Sequence, residues 1–234
     1  MTDHKSALER NRVSESLLRA VRRAVVIGLV AGMAMHTIAL FGAAASAAEK
    51  KDAPMLLPLD EQVTTFLKAL AYDRNLHEKA RGDILIGLLY VPTDVESEAA
   101  ARNVAKLIAA CPMKAIGDLP VFYRLIPYKD KSDLAAVIAD EWIEVLYLAP
   151  GVSSLLDSVL AVTSASKVLS VTGVTEDVAR GVTLGLGARD GHAEMFVNLP
   201  SAQNEGSRFE SHFLNLCTVI RAEAEPRGSI APKN

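Results

Sequence analysis

The sequence predicts an α/β domain with one doubly wound, mostly parallel sheet, helices on both faces, an antiparallel edge hairpin and a C-terminal amphipathic helix. Three observations indicate this fold class. Short apolar runs with the length of buried strands alternate with segments of helical periodicity. The run 84–89 is apolar apart from Gly87, which is typical of a strand covered on both faces. The connections between them are short, as in parallel sheets built with right-handed crossovers.

The first half of the domain contains two strand and helix units. A first helix is predicted over 59–76, because apolar residues recur there at helical spacing. The near-continuous apolar run 83–91 indicates a strand buried on both faces. Thr93-Asp94-Val95-Glu96 has the pattern of a capping box and begins the next helix. A strand over 119–126 and a helix that starts at Ser132 complete the second unit.

The second half repeats the alternation. A strand is predicted over 142–148, followed by a turn and a helix over 155–162 that Ser154 caps. A fourth strand covers 167–172, and Thr175 caps a short helix after it. These elements extend the same parallel sheet.

The end of the chain differs in pattern. Two extended runs, 182–187 and 193–199, flank Arg189-Asp190-Gly191, and Asp-Gly in this position is a strong hairpin signal. We expect this hairpin to form the antiparallel edge of the sheet. An apolar stripe in 209–220, which includes Cys217, predicts a closing amphipathic helix.

The glycines Gly181, Gly185 and Gly187 lie in or beside a strand-like run and are followed by a turn. A nucleotide-binding loop would need a helix at that point. The pattern therefore indicates close backbone packing or bulges.

The uncharged run 24–48 determines the expected location of the protein. It follows basic residues and ends in Ala45-Ser46-Ala47, the small-x-small pattern that a signal peptidase reads. We expect four regions, which are a signal peptide over 1–47, a linker over 48–58, an α/β domain over 59–221 and a disordered tail over 222–234. The expected location is the periplasm, with membrane contact only through the signal peptide. The alternative is an inner-membrane anchor formed by 24–48, because the run is long enough to cross a bilayer.

The charge of the chain argues against nucleic acid as a partner. Segment 1–47 carries six basic and three acidic side chains, so its loss would change the net charge from −3 to −6. A moderately acidic protein without a basic face is a poor binder of phosphate backbones.

The side chains do not form a recognisable catalytic or metal-binding pattern. Gly151-Val152-Ser153 begins like a nucleophile elbow, but Leu155 occupies the place of its closing glycine. The histidines after the leader, at 77, 192 and 212, have no metal-ligand spacing. We therefore expect no enzymatic activity, no metal and no cofactor. Cys111 and Cys217 are too few for a disulfide framework, and whether they are bonded to each other is left open.

One physical argument indicates where a ligand would bind. In open doubly wound sheets, ligands bind outside the carboxyl ends of the strands, where the N-termini of helices present unpaired N–H groups. The residues placed there are Thr93, Ser153, Ser154 and Thr175. The competing interpretation is that these residues only cap helices.

The segment 195–220, MFVNLPSAQNEGSRFESHFLNLCTVI, resembles the closing signature of the YfiR/HmsC-type periplasmic family. The positions that carry the resemblance are Val197, Asn198, Leu199, Ala202, Gly206, Ser211, Leu214, Leu216 and Val219. Segment 168–181 and Phe66-Leu67-Lys68 resemble two further parts of the family pattern. The chain departs from the pattern in the arrangement of its cysteines and at Tyr72-Asp73, where an aromatic-Pro pair is common.

The resemblance implies a non-enzymatic periplasmic regulator. Such a protein inhibits an inner-membrane sensor or diguanylate cyclase by protein contact, and so lowers cyclic-di-GMP signalling and biofilm formation. Of the motif residues, Asn198 is expected to end a strand and bond to nearby backbone, and Gly206 to supply a positive φ. Leu199, Leu214 and Leu216 are likewise expected to be structural.

Two further expectations concern assembly and ligands. A homodimer is expected on general grounds, because two-fold dimers are the commonest soluble assemblies. The alternative function is a small-ligand-binding module that resembles one lobe of a periplasmic solute-binding protein. An exported hydrolase is the weakest hypothesis, since no nucleophile, base and orienting group can be named.

Overall fold

The computed structural model describes residues 58–189 and 192–221. The strands are β1 Ile84–Tyr90, β2 Ala115–Ile116, β3 Leu119–Pro127, β4 Val145–Leu148, β5 Leu169–Thr172, β6 Leu184–Arg189, β7 His192–Asn198 and β8 Thr218–Ile220. The α-helices are α1 Leu59–Leu70, α2 Leu76–Lys79, α3 Val95–Ala110, α4 Lys131–Glu141, α5 Leu156–Ser166, α6 Glu176–Ala179, α7 Leu199–Asn204 and α8 Ser211–Leu214. A 3₁₀ turn, Val152–Leu155, precedes α5.

The strands form one sheet in the order β2-β3-β1-β4-β5-β6-β7-β8. The central strands β3, β1, β4, β5 and β6 are parallel, and β6 pairs with β7 in antiparallel register. The chain starts at β1 inside the sheet, adds β3 on one side and then β4 to β6 on the other. This order confirms the predicted doubly wound, mostly parallel sheet with an antiparallel hairpin.

Helices cover both faces of the sheet. In β4, Val145 and Tyr147 point into a core with α1 and α3, whereas Leu146 and Leu148 point into a second core with α4 and α5. Successive side chains of a strand point to opposite faces, so a strand with two cores is apolar at every position. The continuous apolar runs in the sequence reflect this double burial.

The first helix is shorter than predicted, because it ends at Leu70 instead of near residue 76. Asp73 turns the chain away from the helix, since its carboxylate accepts hydrogen bonds from the backbone N–H groups of Asn75 and Arg208. Asp73 also forms an isolated bridge with Phe209. A contact with the distant C-terminal segment therefore ends the helix. The helix propensity of the local residues does not reveal this end point.

The predicted N-caps of α3 and α4 are displaced. Asp94, not Thr93, caps α3, and its carboxylate accepts hydrogen bonds from the N–H groups of Glu96 and Ser97. Asp130 caps α4 in the same way, so the helix begins just before Ser132. A carboxylate satisfies two orphan N–H groups at once, which favours Asp over the neighbouring hydroxyl residue.

The predicted cap of α5 is wrong, and that of α6 is right in position only. The chain first forms the 3₁₀ turn, and the Ser154 hydroxyl donates to the carbonyl of Gly151 within that turn. Thr175 occupies the N-cap position of α6 without a side-chain hydrogen bond to the helix. Strands β4 and β5 start later than predicted, because Trp142 and Lys167 adopt left-handed conformations that end the preceding helices.

The predicted C-terminal amphipathic helix over 209–220 is wrong. Only Ser211–Leu214 is helical, and Thr218–Ile220 forms β8, which pairs with β7 in parallel. The hairpin is therefore not the edge of the sheet. Without β8, the outer side of β7 would present unpaired N–H and C=O groups, and the β-branched residues of β8 suit a strand. The helical spacing of apolar residues was coincidental, since Leu216 is 70% exposed.

The strand glycines allow α6 to pack closely on β6. A Cβ atom at Gly185 would lie 2.2 Å from Val178 Cγ2, and one at Gly187 would lie 2.2 Å from Thr175 Cγ2. This confirms the predicted close packing at these two positions. The strands of the predicted hairpin are present, while its Asp190-Gly191 turn lies outside the described residues.

Candidate functional site

The loops predicted to hold a ligand meet at one edge of the sheet. They follow β1, β4 and β5, and β4 pairs with both of the other strands. Thr93 and Ser154 are exposed and Thr175 is half-buried, whereas Ser153 is buried. The topology therefore brings the three loops together, as expected, but it places the hydroxyl groups in different environments.

The hydroxyl of Ser153 is used inside the protein. It donates to Asp177 Oδ2 at 2.5 Å, and Asp177 Oδ1 accepts from Arg180 Nη1 at 2.7 Å. Arg180 Nη2 also donates to the backbone carbonyl of Ser153 at 2.8 Å. These three residues form the Ser153 latch, which ties the loop after β4 to helix α6. The Ser153 hydroxyl thus has its hydrogen-bond partner inside the protein, while the Arg180 side chain is 48% exposed.

The loops after β1 and β4 are packed against each other. Gly151 has a φ of +91°, and a Cβ atom there would lie 2.6 Å from Asp94 Oδ2. Two grooves in the described part of the chain lie away from these loops. One of about 480 Å³ is lined by residues of α1 and α3, and one of about 160 Å³ lies between β3 and α4. At the carboxyl edge, Gly151 and Asp94 thus hold the loops after β4 and β1 in close contact.

The opposite edge of the sheet contains a buried carboxylate, that of Glu205. Its Oε1 accepts from Thr163 Oγ1 at 2.6 Å. Its Oε2 accepts from the backbone N–H of Ser170 at 2.8 Å, from the Ser170 hydroxyl at 3.0 Å and from Thr183 Oγ1 at 2.6 Å. We call these four residues the Glu205 cluster. It joins α5, β5, the start of β6 and the end of α7.

Two effects act on the Glu205 cluster. Burial raises the pKa of the Glu205 carboxyl, because water no longer stabilises its charge, and the hydrogen bonds from Thr163, Thr183 and Ser170 oppose that shift. Each donor is itself buried, so the carboxylate satisfies groups that would otherwise be costly to bury. The cluster therefore has a structural role.

Lys79 lies next to the Glu205 cluster. Its Nζ donates to the hydroxyl of Ser207 at 3.0 Å and to the backbone carbonyl of Glu205 at 3.1 Å, and it is 3.9 Å from Asp73 Oδ2. Burial lowers the pKa of Lys79, and the nearby Asp73 carboxylate opposes this shift. Lys79 thereby connects α2 to the segment between α7 and α8.

Glu144, just before β4, is a further buried carboxyl at this edge and is only 6% exposed. Its Oε2 accepts from the backbone N–H of Leu85 at 2.8 Å. Burial raises the pKa of the Glu144 carboxyl to about 7. This group therefore changes its charge near neutral pH.

Asn198 has the backbone-bonding role that the sequence predicted. It is the last residue of β7, its Nδ2 donates to the carbonyl of Val178 at 2.8 Å, and its Oδ1 accepts from the N–H of Ser201 at 3.1 Å. Gly206 has the expected positive φ, at +69°. The leucines of the motif differ in burial, because Leu199 and Leu214 are half-buried and Leu216 is exposed.

Both cysteines are free thiols in the structure. Cys111 is buried at the end of α3, and Cys217 lies before β8 with Sγ 3.3 Å from the carbonyl of Phe213. Burial raises the pKa of the Cys217 thiol to about 11. Within 58–189 and 192–221, no three His, Cys, Asp or Glu residues are grouped to hold a metal ion. No helix in these ranges is long and apolar enough to cross a membrane.

Comparison with protein families decides the relationship of the chain. The model of the YfiR/HmsC-like family matches residues 99–218, just over half of the sequence. The chain belongs to the YfiR/HmsC-like family. The matched region runs from α3 to the start of β8 and includes the Ser153 latch, the Glu205 cluster and Asn198. The loop after β1, with Thr93 and Asp94, precedes the matched residues.

Solved structures with a similar chain path are distant in sequence. A conserved domain protein from Vibrio cholerae has 14% identity and a TM-score of 0.48, over 69% of this chain. An ABC domain in complex with L-Trp from Streptococcus pneumonia has 14% identity and a TM-score of 0.49, over 70% of this chain. A ligand-free, open substrate binding protein with adhesive properties from Clostridium difficile has 15% identity and a TM-score of 0.44, over 67%. The YfiR/HmsC-like chain covers about 60% of the first two and 59% of the third. No curated protein matches it.

The YfiR/HmsC-like domain also exposes aromatic side chains near β3. Phe122 is 53% exposed, Tyr123 40% and Trp142 51%. The Arg81 guanidinium lies over the Trp142 ring, 2.9 Å from its centroid. Phe122 and Tyr123 are consecutive in β3 and therefore point to opposite faces of the sheet. Exposed aromatic residues are enriched at protein interfaces, which makes β3 a candidate for protein contact.

Sequence reasoning missed the buried charged residues Glu205, Asp73 and Lys79. The usable signal was the position of Glu205 between Ala202 and Gly206, inside the motif that carries the family resemblance. A carboxylate is costly to bury without partners, so its presence there indicates a hydrogen-bonded cluster. The donors to that cluster are far away in sequence and only the fold brings them together.

Proposed function

We propose that this chain is a non-enzymatic periplasmic regulator that inhibits an inner-membrane sensor or diguanylate cyclase by protein contact. The observation that carries the proposal is membership of the YfiR/HmsC-like family over residues 99–218. Inhibition lowers cyclic-di-GMP signalling and, through it, biofilm formation. The chain acts by binding a partner and needs no cofactor.

The geometry of the carboxyl edge supports contact rather than catalysis. The Ser153 hydroxyl is held by Asp177, and the Gly151 turn packs against Asp94. A nucleophilic serine must also be open to its substrate, whereas Ser153 is only 6% exposed. The residues proposed as ligand contacts, Thr93, Ser153, Ser154 and Thr175, act in this view as parts of a closed loop structure.

The proposal places the protein in the periplasm. Segment 1–47 serves as a cleaved signal peptide, and the α/β domain over 59–221 is the functional part between a linker and a polar tail. Intact-mass measurement of the protein from a periplasmic fraction should give a chain that begins at Ala48. A full-length chain found only in the inner membrane would instead support an anchor formed by 24–48.

Cyclic-di-GMP measurement tests the regulatory function. Deletion of the gene should raise the cellular cyclic-di-GMP level, and the full chain supplied in trans should restore it. A matched chain that lacks segment 1–47 should not restore the level, because it cannot reach the periplasmic side of the partner. Unchanged cyclic-di-GMP after deletion would contradict the proposal, and so would full restoration by the leaderless chain.

Thermal unfolding separates this proposal from a solute-binding module. A ligand that binds only the folded state raises the unfolding temperature, by a free energy of RT ln(1 + [L]/Kd). Amino acids, sugars and small anions should leave the unfolding temperature of the regulator unchanged. A concentration-dependent rise with one of these compounds would favour the solute-binding alternative.

A further inference from the structure

Strand β3 has a free side in the described part of the chain. On one side it pairs with β1 along its course, from Val121 to Pro127. On the other side β2 covers only its first two residues, Leu119 and Pro120. The side chains at the centre of β3, at 122, 123 and 124, are all exposed. An exposed edge strand is a template for pairing with another strand.

Two hydrogen bonds show which backbone groups of β3 point to its free side. The N–H of Val121 donates to the carbonyl of Lys114 on the side away from β1, and the N–H of Tyr128 donates to Tyr90 of β1. Backbone groups alternate in direction along a strand, so odd-numbered residues of β3 point outward. Tyr123 and Leu125 therefore direct their N–H and C=O groups to the free side.

The available stretch is short and symmetric. Val121 already bonds to Lys114 at one end, and Pro127 has no N–H at the other. Tyr123 and Leu125 remain, and they lie one residue on either side of Arg124. In an antiparallel pair centred on Arg124, Tyr123 of one chain is opposite Leu125 of the other. That register uses both N–H and both C=O groups of each chain.

The side chains on one face are complementary in the same register. Phe122, Arg124 and Ile126 share the face that carries α4, because side chains alternate along the strand. A groove of about 160 Å³ on that face has an apolar part formed by Leu125, Ile126, Pro127 and Val137 and a charged part formed by Arg124, Lys129 and Asp133. Centring on Arg124 places the exposed ring of Phe122 opposite Ile126 of the other chain, next to this groove.

We propose that β3 pairs with β3 of a second copy of this chain, antiparallel about a two-fold axis at Arg124. Four backbone hydrogen bonds join the two chains, and each Phe122 packs at the groove of the other copy. The sheet then continues across the dimer. The inference concerns self-association and is independent of which membrane protein is regulated.

The charges at the axis are compatible with this pairing. The two Arg124 side chains are directly opposite, and like charges in that position are unfavourable. However, Arg124 Nη1 lies 2.7 Å from Glu141 Oε2 within each chain. The axis therefore carries two guanidinium groups and two carboxylates. Glu141→Gln should weaken the dimer, because it leaves the two arginines without their carboxylates.

Sedimentation velocity of the chain as recovered from cells tests the pairing. The wild-type chain should change from monomer to dimer with rising concentration. Tyr123→Pro should shift the dimer dissociation constant at least tenfold upward, because it removes an outward N–H. Tyr123→Ala is the matched control, since it removes the same side chain and keeps the N–H, and it should retain most of the association. A wild-type chain that stays monomeric, or equal loss in both variants, would overturn the proposal.

A cysteine cross-link keeps the test independent of whether Tyr123→Pro folds well. In an antiparallel pair the two residues at the axis have Cα atoms about 4.5 Å apart, which suits a disulfide. Arg124→Cys should give a disulfide-linked dimer on oxidation, well above the level of the wild-type chain. Tyr123→Cys should not, because its counterpart lies two residues further along. Equal cross-linking of the two variants, or none with Arg124→Cys, would overturn the proposed register.

Discussion

The Thr183 hydroxyl and the Glu205 carboxylate are 2.6 Å apart in the interior, although 22 residues separate them in the chain. The contact connects the start of β6 to the end of α7. Thr163 and Ser170 complete the same cluster from α5 and β5. A single carboxylate thus holds four elements together at the edge of the sheet where the parallel strands begin.

Glu205→Ala should lower the free energy of unfolding by about 3 kcal/mol or more, because the N–H of Ser170 and the hydroxyl of Thr183 lose a charged acceptor. Glu205→Gln should cost less, about 1 kcal/mol. Its amide oxygen can accept at the Oε2 position, while its NH₂ donates to Thr163, whose hydroxyl is 3.2 Å from the carbonyl of Leu160. Urea unfolding measures both differences.

The control for Glu205 is Glu210→Ala. Glu210 is half-buried and pairs with Arg74 and His212 at the surface. Its loss should change the free energy of unfolding by less than about 1 kcal/mol. Equal effects of Glu205→Ala and Glu210→Ala would contradict a structural role for the buried cluster.

Ser153→Ala should lower the free energy of unfolding by about 2 kcal/mol, because it removes a buried hydrogen bond to the Asp177 carboxylate. Ser154→Ala is the matched control, since the adjacent hydroxyl is exposed and should contribute within about 0.5 kcal/mol. Thermal or urea unfolding of the two variants gives the comparison. A larger effect at Ser154 would show that the Ser153 latch is not what stabilises this loop.

Glu144 should make the protein less stable as the pH rises from about 4.5 to about 7. Its ordinary pKa is 4.5 and burial raises the pKa to about 7, so the folded state binds its proton more tightly in this range. Glu144→Gln keeps an oxygen for the N–H of Leu85 and should remove this part of the pH dependence. The check is the urea midpoint of both proteins across this pH range. Parallel curves for the two proteins would contradict the prediction.

Gly185→Ala should lower the free energy of unfolding by about 1 to 3 kcal/mol, because the new methyl group would overlap Val178. Val178→Ala makes room for that methyl group. The double variant should therefore cost less than the sum of the two single changes, which a double-mutant cycle detects. Strict additivity would show that the contact between α6 and β6 does not limit packing.

Much of the sheet was predictable from local pattern. The runs that became β1 and β4 are almost entirely apolar, as burial on both faces requires. The Asp-Gly pair between two extended runs likewise predicted strands β6 and β7. In contrast, helical spacing over 209–220 predicted a helix where β8 forms. The spacing of apolar residues does not show that the outer side of β7 needs a hydrogen-bonding partner, which favours a strand at this place.

The candidate sites also divide into features that the local sequence predicted and contacts that only the fold creates. The sequence placed Thr93, Ser153 and Thr175 at one edge, because parallel topology brings strand ends together. It did not show that Asp177 and Arg180 would engage Ser153, since these partners lie 24 and 27 residues away. The bond from the N–H of Ser201 to Asn198 was predictable because it is local, at a strand end that becomes a helix start, whereas the bond from Asn198 to Val178 spans 20 residues.

The amino-acid sequence by itself determined the order of buried strands and helices and the resemblance to the YfiR/HmsC-like family. These depend on hydrophobic period and short motifs, which act over a few residues. Only the tertiary structure decided that Glu205 accepts hydrogen bonds from three distant segments and that the Ser153 hydroxyl donates to Asp177. It also decided that one side of β3 has no partner strand along most of its length in the described part of the chain. Hydrogen bonds of buried groups are satisfied by whatever the fold brings near, so they cannot be assigned from neighbours in the chain.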